Sequence, residues 1–375
     1  MSKLRQPYVQ TRRDAWVEIN LGNIEHNFLE LKKYCKPDTK IIAIVKADAY
    51  GHGASMVAPP LVASGVHAFG VASVDEGIEL RQSGCEIPII VIGTVPSWSF
   101  TSAVENDLSL SIFTKEHINS AVNAFKHTGK PVNAFVKIDT GMNRIGLAYE
   151  EAPVYLTEIL NIQEIKLCGF FSHLACAENK EITKQQVYKF NKIKEQFPQI
   201  PAHLLNTAGI ISYSDLQFDM VRAGIGIYGL LPDVPKGTKT PELKPALGLK
   251  GRIVYLKTIQ KGEGVSYSYT YTTPSERKIA TVPIGYADGV PRILSNKIFG
   301  IINGKKVPQV GNITMDQMMF DVTEAGNVDI GDVITLIGED EGTTIKIDEW
   351  AELLGTINYE LTCRLKVRLP RVYTR

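Results

Sequence analysis

The sequence predicts an α/β chain: an N-terminal (β/α)8 TIM-type barrel over residues 1–242, followed by a C-terminal mostly β domain over 243–375, with the first residues free to pack with the β domain. Three observations carry this reading. Eight short apolar runs recur along the first part of the chain, most of them separated from the next by a segment long enough for a helical crossover, which implies parallel pairing and a closed sheet. Polar residues collect at the C-terminal ends of those runs, where such a barrel places its chemistry. After Leu231 the texture changes: Pro232, Pro235, Gly237, Pro241 and Pro245 mark a junction, beyond which strand-like runs follow one another with few helical segments.

Taken in order, Trp16-Val17-Glu18-Ile19-Asn20 alternates as a short strand, and 21–34 carries Ile24, Phe28 and Leu31 at helical spacing. The first barrel run, 41–46, starts Ile41-Ile42-Ala43-Ile44-Val45, β-branched enough for a buried strand, and ends abruptly in Lys46. Tyr50-Gly51-His52-Gly53 then reads as a polar loop. The remaining runs are 68–73, 87–93, 108–113, 132–139, 167–174, 202–206 and 220–224. The last crossover, 207–215, is short, so its helix is the weakest in the pattern. In the β domain, 252–258, 279–284, 318–322, 333–337 and 361–367 read as strands and 347–354 as a helix.

Composition excludes several classes. With 375 residues, 44% of them hydrophobic, the chain exceeds one ordinary domain, and a net charge of +1 gives no electrostatic case for nucleic acid or an anionic membrane. The N-terminus MSKLRQPYVQTRRDA lacks the apolar core of a signal peptide, and no apolar stretch reaches membrane-spanning length. Five scattered cysteines without a C-x-x-C pair fit a reducing cytoplasm, and the histidines show no metal-ligand spacing, so no metal is expected.

An ammonium at the end of a buried strand is partly desolvated, which lowers its pKa and frees the amine for Schiff-base chemistry; the ordinary alternative is a lysine that snorkels to solvent. The other strand ends read Asp139-Thr140-Gly141, Ser172-His173, Asn206-Thr207 and Arg222-Ala223-Gly224. Three β-domain loops, 265–269 (V-S-Y-S-Y), 285–289 (G-Y-A-D-G) and 312–317 (N-I-T-M-D-Q), are rich in functional groups, though each alone fits a hairpin turn.

The motif V-K-A-D-A-Y-G-H-G-A at 45–54 resembles the cofactor-lysine motif of the alanine racemases, pyridoxal 5'-phosphate enzymes with a barrel and a β domain. The resemblance continues at V-K-I-D-T-G-M-N-R-I-G (136–146), M-V-R-A-G-I (220–225), V-S-Y (265–267), 285–289, M-D-Q (315–317) and I-N-Y-E (357–360), in the family's order and over nearly the whole chain. It implies a racemase that interconverts L- and D-alanine and supplies D-alanine for peptidoglycan. Lys46 would hold the cofactor and act as the catalytic base on the D face, with Tyr267 as the opposing base on the L face. In the family that tyrosine comes from a partner subunit, which implies a homodimer with shared active sites. Tyr50, Thr207, the backbone at Gly224 and Ile225, and Tyr359 would hold the phosphate, with His173, Asn206 and Arg222 also around the cofactor. Arg144, Met315, Asp316 and Tyr286 would meet the substrate, and Lys137 matches a lysine that is carbamylated in some members; an unmodified Lys137 paired with Asp139 or another acid is the alternative.

Racemisation removes an α-proton on one face and returns one on the other, so two bases must flank the carbanion, for which the cofactor is the electron sink. Holding a free tyrosine or lysine deprotonated at pH 7 costs about 4 kcal/mol. Nearby cations reduce that cost, and His173 and Arg222 are candidates for the tyrosine's hydrogen-bond chain. Arg222, at the position of the family's pyridine-nitrogen partner, cannot give up its proton (pKa above 12) and so disfavours ring protonation and side reactions. Related barrel decarboxylases place a carboxylate there. Three departures from the family pattern, Thr207 for serine, Thr314 where many relatives have cysteine, and Asn143 for a glycine that can turn left-handed, remove no catalytic group. Racemisation of serine or a broader set of amino acids is a second reading, and a non-catalytic cofactor-binding protein a third; members of that last class are usually a lone barrel without the β domain.

Overall fold

The computed structural model describes residues 14–365 and 368–375. It divides into two compact units, Leu21–Lys244 and residues 14–20 with 245–375. The N-terminal stretch before residue 14, on which the expectation about a signal peptide falls, lies outside the described residues.

The first unit is a closed parallel barrel. In chain order its strands are Lys40–Ile44, Ala68–Val71, Ile89–Val91, Leu108–Ile112, Val132–Asp139, Ile165–Phe171, Ala202–His203 and Met220–Ala223. Each pairs in parallel with the next, and Met220–Ala223 returns to Lys40–Ile44, with Val221 opposite Ile41. The eight expected runs thus become the eight barrel strands; a short extra strand, Leu147–Ala148, leans on Val132–Asp139. Strands such as Ala68–Val71 and Ile89–Val91 are buried throughout, since helices cover one face and barrel-filling side chains the other. That is why they read as unbroken apolar runs rather than alternating ones. The helix Leu21–Lys32 buries Ile24, Phe28 and Leu31 on one stripe, and the doubtful last crossover does hold a short helix, Thr207–Ser212.

The second unit is a largely antiparallel sheet ordered Tyr255–Ile259, Arg277–Val282, Met318–Asp321, Lys305–Val310, Phe299–Ile302, Val333–Asp340, Leu247–Arg252, Ala15–Asn20, Arg371–Thr374. Ala15–Asn20 pairs antiparallel with Leu247–Arg252 and parallel with Arg371–Thr374. Two expectations need correction. The run 252–258 is two strands: the Ile253 N–H donates to Asp332 O at 2.8 Å and the Val254 N–H to Thr281 O at 2.9 Å, so successive amides serve different neighbours and the chain changes partner there. The run 361–367 is not a strand; 361–364 close the helix Asn358–Arg364, which buries Leu361 and Thr362, and 366–367 lie outside the described residues. Its apolar positions are too few to separate period two from period 3.6. The helix Ile347–Leu354 forms as expected. Among the described residues no helix is long and apolar enough to cross a membrane.

Candidate active site

Strand Lys40–Ile44 ends just before Lys46, and the Val45 N–H makes a last tie to Gly70 O at 2.9 Å. Ala47, Asp48, Ala49 and Tyr50 then take φ of 52°, 52°, 53° and 54°, a turn of left-handed helix made of non-glycine residues. Each such residue costs about 1–2 kcal/mol relative to the right-handed form, so the surroundings must hold the turn. It leaves Lys46 half-buried and Tyr50 buried.

Tyr50 meets the end of the last barrel strand. A Cβ placed on Gly224 would lie 3.2 Å from the Tyr50 hydroxyl and 3.7 Å from Thr207 Oγ1, so glycine is what keeps this space open. The Gly224 N–H donates to Thr207 Oγ1 at 2.8 Å, and Asn206 caps the following short helix by accepting from the Gly209 N–H at 3.0 Å. Tyr228, absent from the sequence-based candidates, supports the same corner: its ring centroid is 5.0 Å from that of Tyr50, and its hydroxyl donates to Ile44 O at 2.8 Å. The hydroxyls of Tyr50 and Thr207 therefore converge beside Gly224 on one cradle, a pair of donors suited to a phosphate.

Arg222 is buried and densely bonded. Its Nη2 donates to Ser172 O at 2.7 Å, to Leu204 O at 2.8 Å and to His173 Nδ1 at 3.1 Å; Nη1 donates to His203 Nδ1 and, at 3.4 Å, to His203 O. Burial lowers its pKa to about 9, and the group keeps its proton at neutral pH, as expected of an arginine in this place. His173 is pushed well below the usual histidine range by burial, then by Arg222, Lys137, Arg144 and Lys46, so it sits here as a neutral ring and Arg222 carries the charge. His203, not among the candidates, is fully buried, stacks on Phe171 at 4.7 Å and is held neutral in the same way. The buried Gln186 was also missed; its Nε2 donates to His173 O at 3.0 Å and Thr140 Oγ1 at 3.3 Å. Only the strand-end placement of His203 could have signalled it; Gln186 comes from the middle of a helix and gives no local sign.

Lys137 is buried, with Nζ 4.8 Å above the Phe171 ring. Burial, then Arg222 and Arg144, pull its pKa well down, opposed by Asp139. The alternative ion pair with Asp139 does not form: Asp139 Oδ1 instead accepts the N–H groups of Gly141 at 2.8 Å and Met142 at 2.9 Å, shaping the turn that presents Arg144. Asn143 in that turn has φ of 54°, the left-handed conformation expected of it. A separate opening of about 670 Å³ lies at the other barrel end, beside strand starts such as Lys40, Ala68 and Met220.

The second unit knits its three loops together. Tyr286 and Ala287 donate backbone N–H groups to Thr314 O and Met315 O, each at 3.0 Å, across Gly285, where any Cβ would fall 2.3 Å from Thr314 O. Ser266 Oγ donates to Asn312 O and Asn312 Nδ2 donates to Tyr267 O, both at 2.7 Å. Tyr267, Tyr286 and Met315 are brought into one region and remain exposed, Tyr267 at 69%. The Asp316 carboxylate accepts from Arg368 at 2.6 Å, and Tyr359 lies half-buried in the first turn of Asn358–Arg364.

The family models for the alanine racemase N-terminal and C-terminal domains match residues 19–232 and 246–373. The chain belongs to the alanine racemase family. It is 41% identical over 369 residues to alanine racemase 2 of Oceanobacillus iheyensis, covering 97% of this chain and 94% of that one. It is 38% identical to the alanine racemase of Nostoc sp. over 97% of both. Among solved structures, alanine racemase from Clostridium difficile superposes with a TM-score of 0.91 at 38% identity, covering 97% of this chain and 96% of that one. The Bacillus anthracis alanine racemase, solved with bound L-Ala-P, gives 0.90 at 34% identity, covering 99% and 96%. Family membership accounts for the barrel with its β domain and for the order of the motifs along the chain.

Proposed function

We propose that this chain interconverts L-alanine and D-alanine using pyridoxal 5'-phosphate held on Lys46, and so provides D-alanine for peptidoglycan. The observation that carries the reading is the barrel rim itself: a strand-end lysine, the cradle at Gly224 and a buried, charged Arg222 occupy one end of one barrel. The residues fit the cofactor. Tyr50, Thr207 and the backbone of Gly224 and Ile225 would hold its phosphate, joined in the family pattern by Tyr359; His173, Asn206 and Arg222 would line its ring. When bound, the cofactor supplies the electron sink that makes the α-proton of an amino acid removable.

Lys46 takes and returns that proton on one face and Tyr267 on the other. In the family pattern Arg144 and the backbone at Met315 would meet the substrate carboxylate, and Tyr286 and Asp316 would also face the substrate. Arg222, always a donor, leaves no basic partner on its side and holds His173 as an acceptor. Tyr267 acts from a second copy of the chain in a homodimer; the exposure of Tyr267, Tyr269 and Met315 on the β unit suits a surface that another chain covers. The test is to add pyridoxal phosphate to purified protein, follow visible absorbance, and measure loss of optical rotation from L-alanine and L-serine side by side. A colourless protein, or a coloured one inert toward alanine, would sink the proposal; equal rates on both amino acids would move it to a broader racemase.

A further inference from the structure

Glu76 lies in the first turn of the helix Val74–Gln82, whose N-cap Ser73 accepts from the Glu76 N–H at 3.3 Å. An acid at this position ordinarily folds back onto the N-cap residue's own backbone N–H. Glu76 does something else with both oxygens. Oε2 accepts from the Ala72 N–H at 2.7 Å, just beyond the strand Ala68–Val71, and Oε1 accepts from the Ala47 N–H at 2.8 Å. The second contact is to the peptide that joins Lys46 to the left-handed turn. Within the turn's own segment, Asp48 Oδ1 accepts from the Ala54 N–H at 2.7 Å, and His52 Nδ1 lies 2.9 Å from Ala49 O and 3.0 Å from Tyr50 O.

We propose that Glu76 is a positioning residue for Lys46: its carboxylate bridges the Lys46–Ala47 peptide to the end of the neighbouring strand and holds the left-handed turn in the conformation that presents the lysine. A carboxylate accepting two backbone N–H groups makes strong, charge-assisted bonds, and it does so across elements that the helix anchors independently. The turn is intrinsically unfavourable, so its geometry depends on such external ties. The role rests on the reading that Lys46 carries the cofactor; the clamp itself does not.

Hydrogen exchange over residues 46–54 and borohydride trapping of pyridoxal phosphate on Lys46 test it together, on wild type, Glu76→Gln, Glu76→Ala and, as control, Glu79→Gln on the same helix. Glutamine keeps one acceptor oxygen and turns an N–H toward the other amide, so it loses about one bond while leaving the helix start intact. Exchange in 46–54 is expected to speed up roughly tenfold in Glu76→Gln and further in Glu76→Ala, with Glu79→Gln matching wild type. Trapping at Lys46 should slow and kcat for alanine fall by roughly tenfold, while KM stays near the wild-type value. Unchanged exchange in both Glu76 variants overturns the clamp. Exchange loosened evenly over the whole barrel, with trapping and kcat unaltered, overturns positioning and leaves an ordinary structural carboxylate. Wild-type protein that takes no label on Lys46 overturns the functional reading instead, and the exchange comparison still decides the clamp.

Discussion

Arg222 meets His173 at 3.1 Å from Nη2 to Nδ1, and because a guanidinium has only protons to offer, Nδ1 must accept. His203 stands in the same relation to Nη1. His203 is fully buried and His173 half-buried, and both rings are neutral in the fold, whereas in the unfolded chain each would titrate near 6.5. Their folded pKa values are depressed, so below the unfolded value the unfolded chain binds protons that the fold refuses. Stability from these groups is complete above about pH 7 and is lost as pH falls toward 5, by up to about 1.4 kcal/mol per pH unit for each ring. Tm of the cofactor-free protein should decline over that window, and His203→Asn should flatten the decline. Identical slopes in the two proteins would contradict this.

Arg222→Glu is expected to change the reaction and the fold at once. A carboxylate in that place cannot donate to Ser172 O, Leu204 O or His203 O, and at least two buried carbonyls lose their partner, at a cost of about 2–4 kcal/mol seen in urea unfolding. The carboxylate would also stabilise a protonated cofactor ring by accepting a hydrogen bond from it, which the arginine cannot do. Pyruvate formed per racemisation event should therefore rise. An unchanged ratio in protein that still binds cofactor would count against the part given to Arg222.

The barrel was legible because strands such as Ala68–Val71 and Ile89–Val91 are covered on both faces and so announce themselves as continuous apolar runs; even Ala202–His203, only two residues long by hydrogen bonding, stood out in 202–206. The β unit was less so. Its strands switch neighbours at Ile253 and its short helix at Asn358 carries too little pattern to reveal a period. In the site, Lys46, Thr207, Arg222 and Gly224 were visible as polar or small residues where strands end. Gln186 and Glu76 were not, because each acts from a helix on groups of other elements, and nothing local separates them from the solvated polar residues of the same helices. The left-handed turn at 47–50 was equally hidden: the two alanines and the tyrosine there do not advertise positive φ, and a single aspartate among them does not mark a run of four.

Tyr267→Phe separates chemistry from folding. The side chain is 69% exposed, and the hydrogen bond that ties this residue to Asn312 uses the backbone carbonyl rather than the phenol. Stability should stay within about 0.5 kcal/mol of wild type, while racemisation falls by roughly 10²–10⁴-fold through loss of one proton carrier. Exchange of the α-proton of D-alanine with solvent deuterium, the half-reaction given to Lys46, should suffer less than that of L-alanine. Equal retention of both exchanges at wild-type rates would remove Tyr267 from the two-base scheme.

Lys137 offers the last test. Burial and the neighbouring Arg222 and Arg144 disfavour its ammonium, and among the described residues no carboxylate pairs with it. A neutral amine in that position can attack carbon dioxide: an N–C bond forms, one proton leaves the nitrogen, and the resulting carbamate is an anion set between two arginines, able to orient Arg144. Labelled bicarbonate should therefore give a carbamate NMR signal in wild type that is missing from Lys137→Arg, and removing bicarbonate should lower activity in wild type alone. Without the signal, Lys137 stays an amine whose folded pKa is depressed. The unfolded chain then keeps its proton up to about 10.5 while the fold releases it earlier, so Tm of the wild type should rise with pH above neutrality more steeply than that of Lys137→Met.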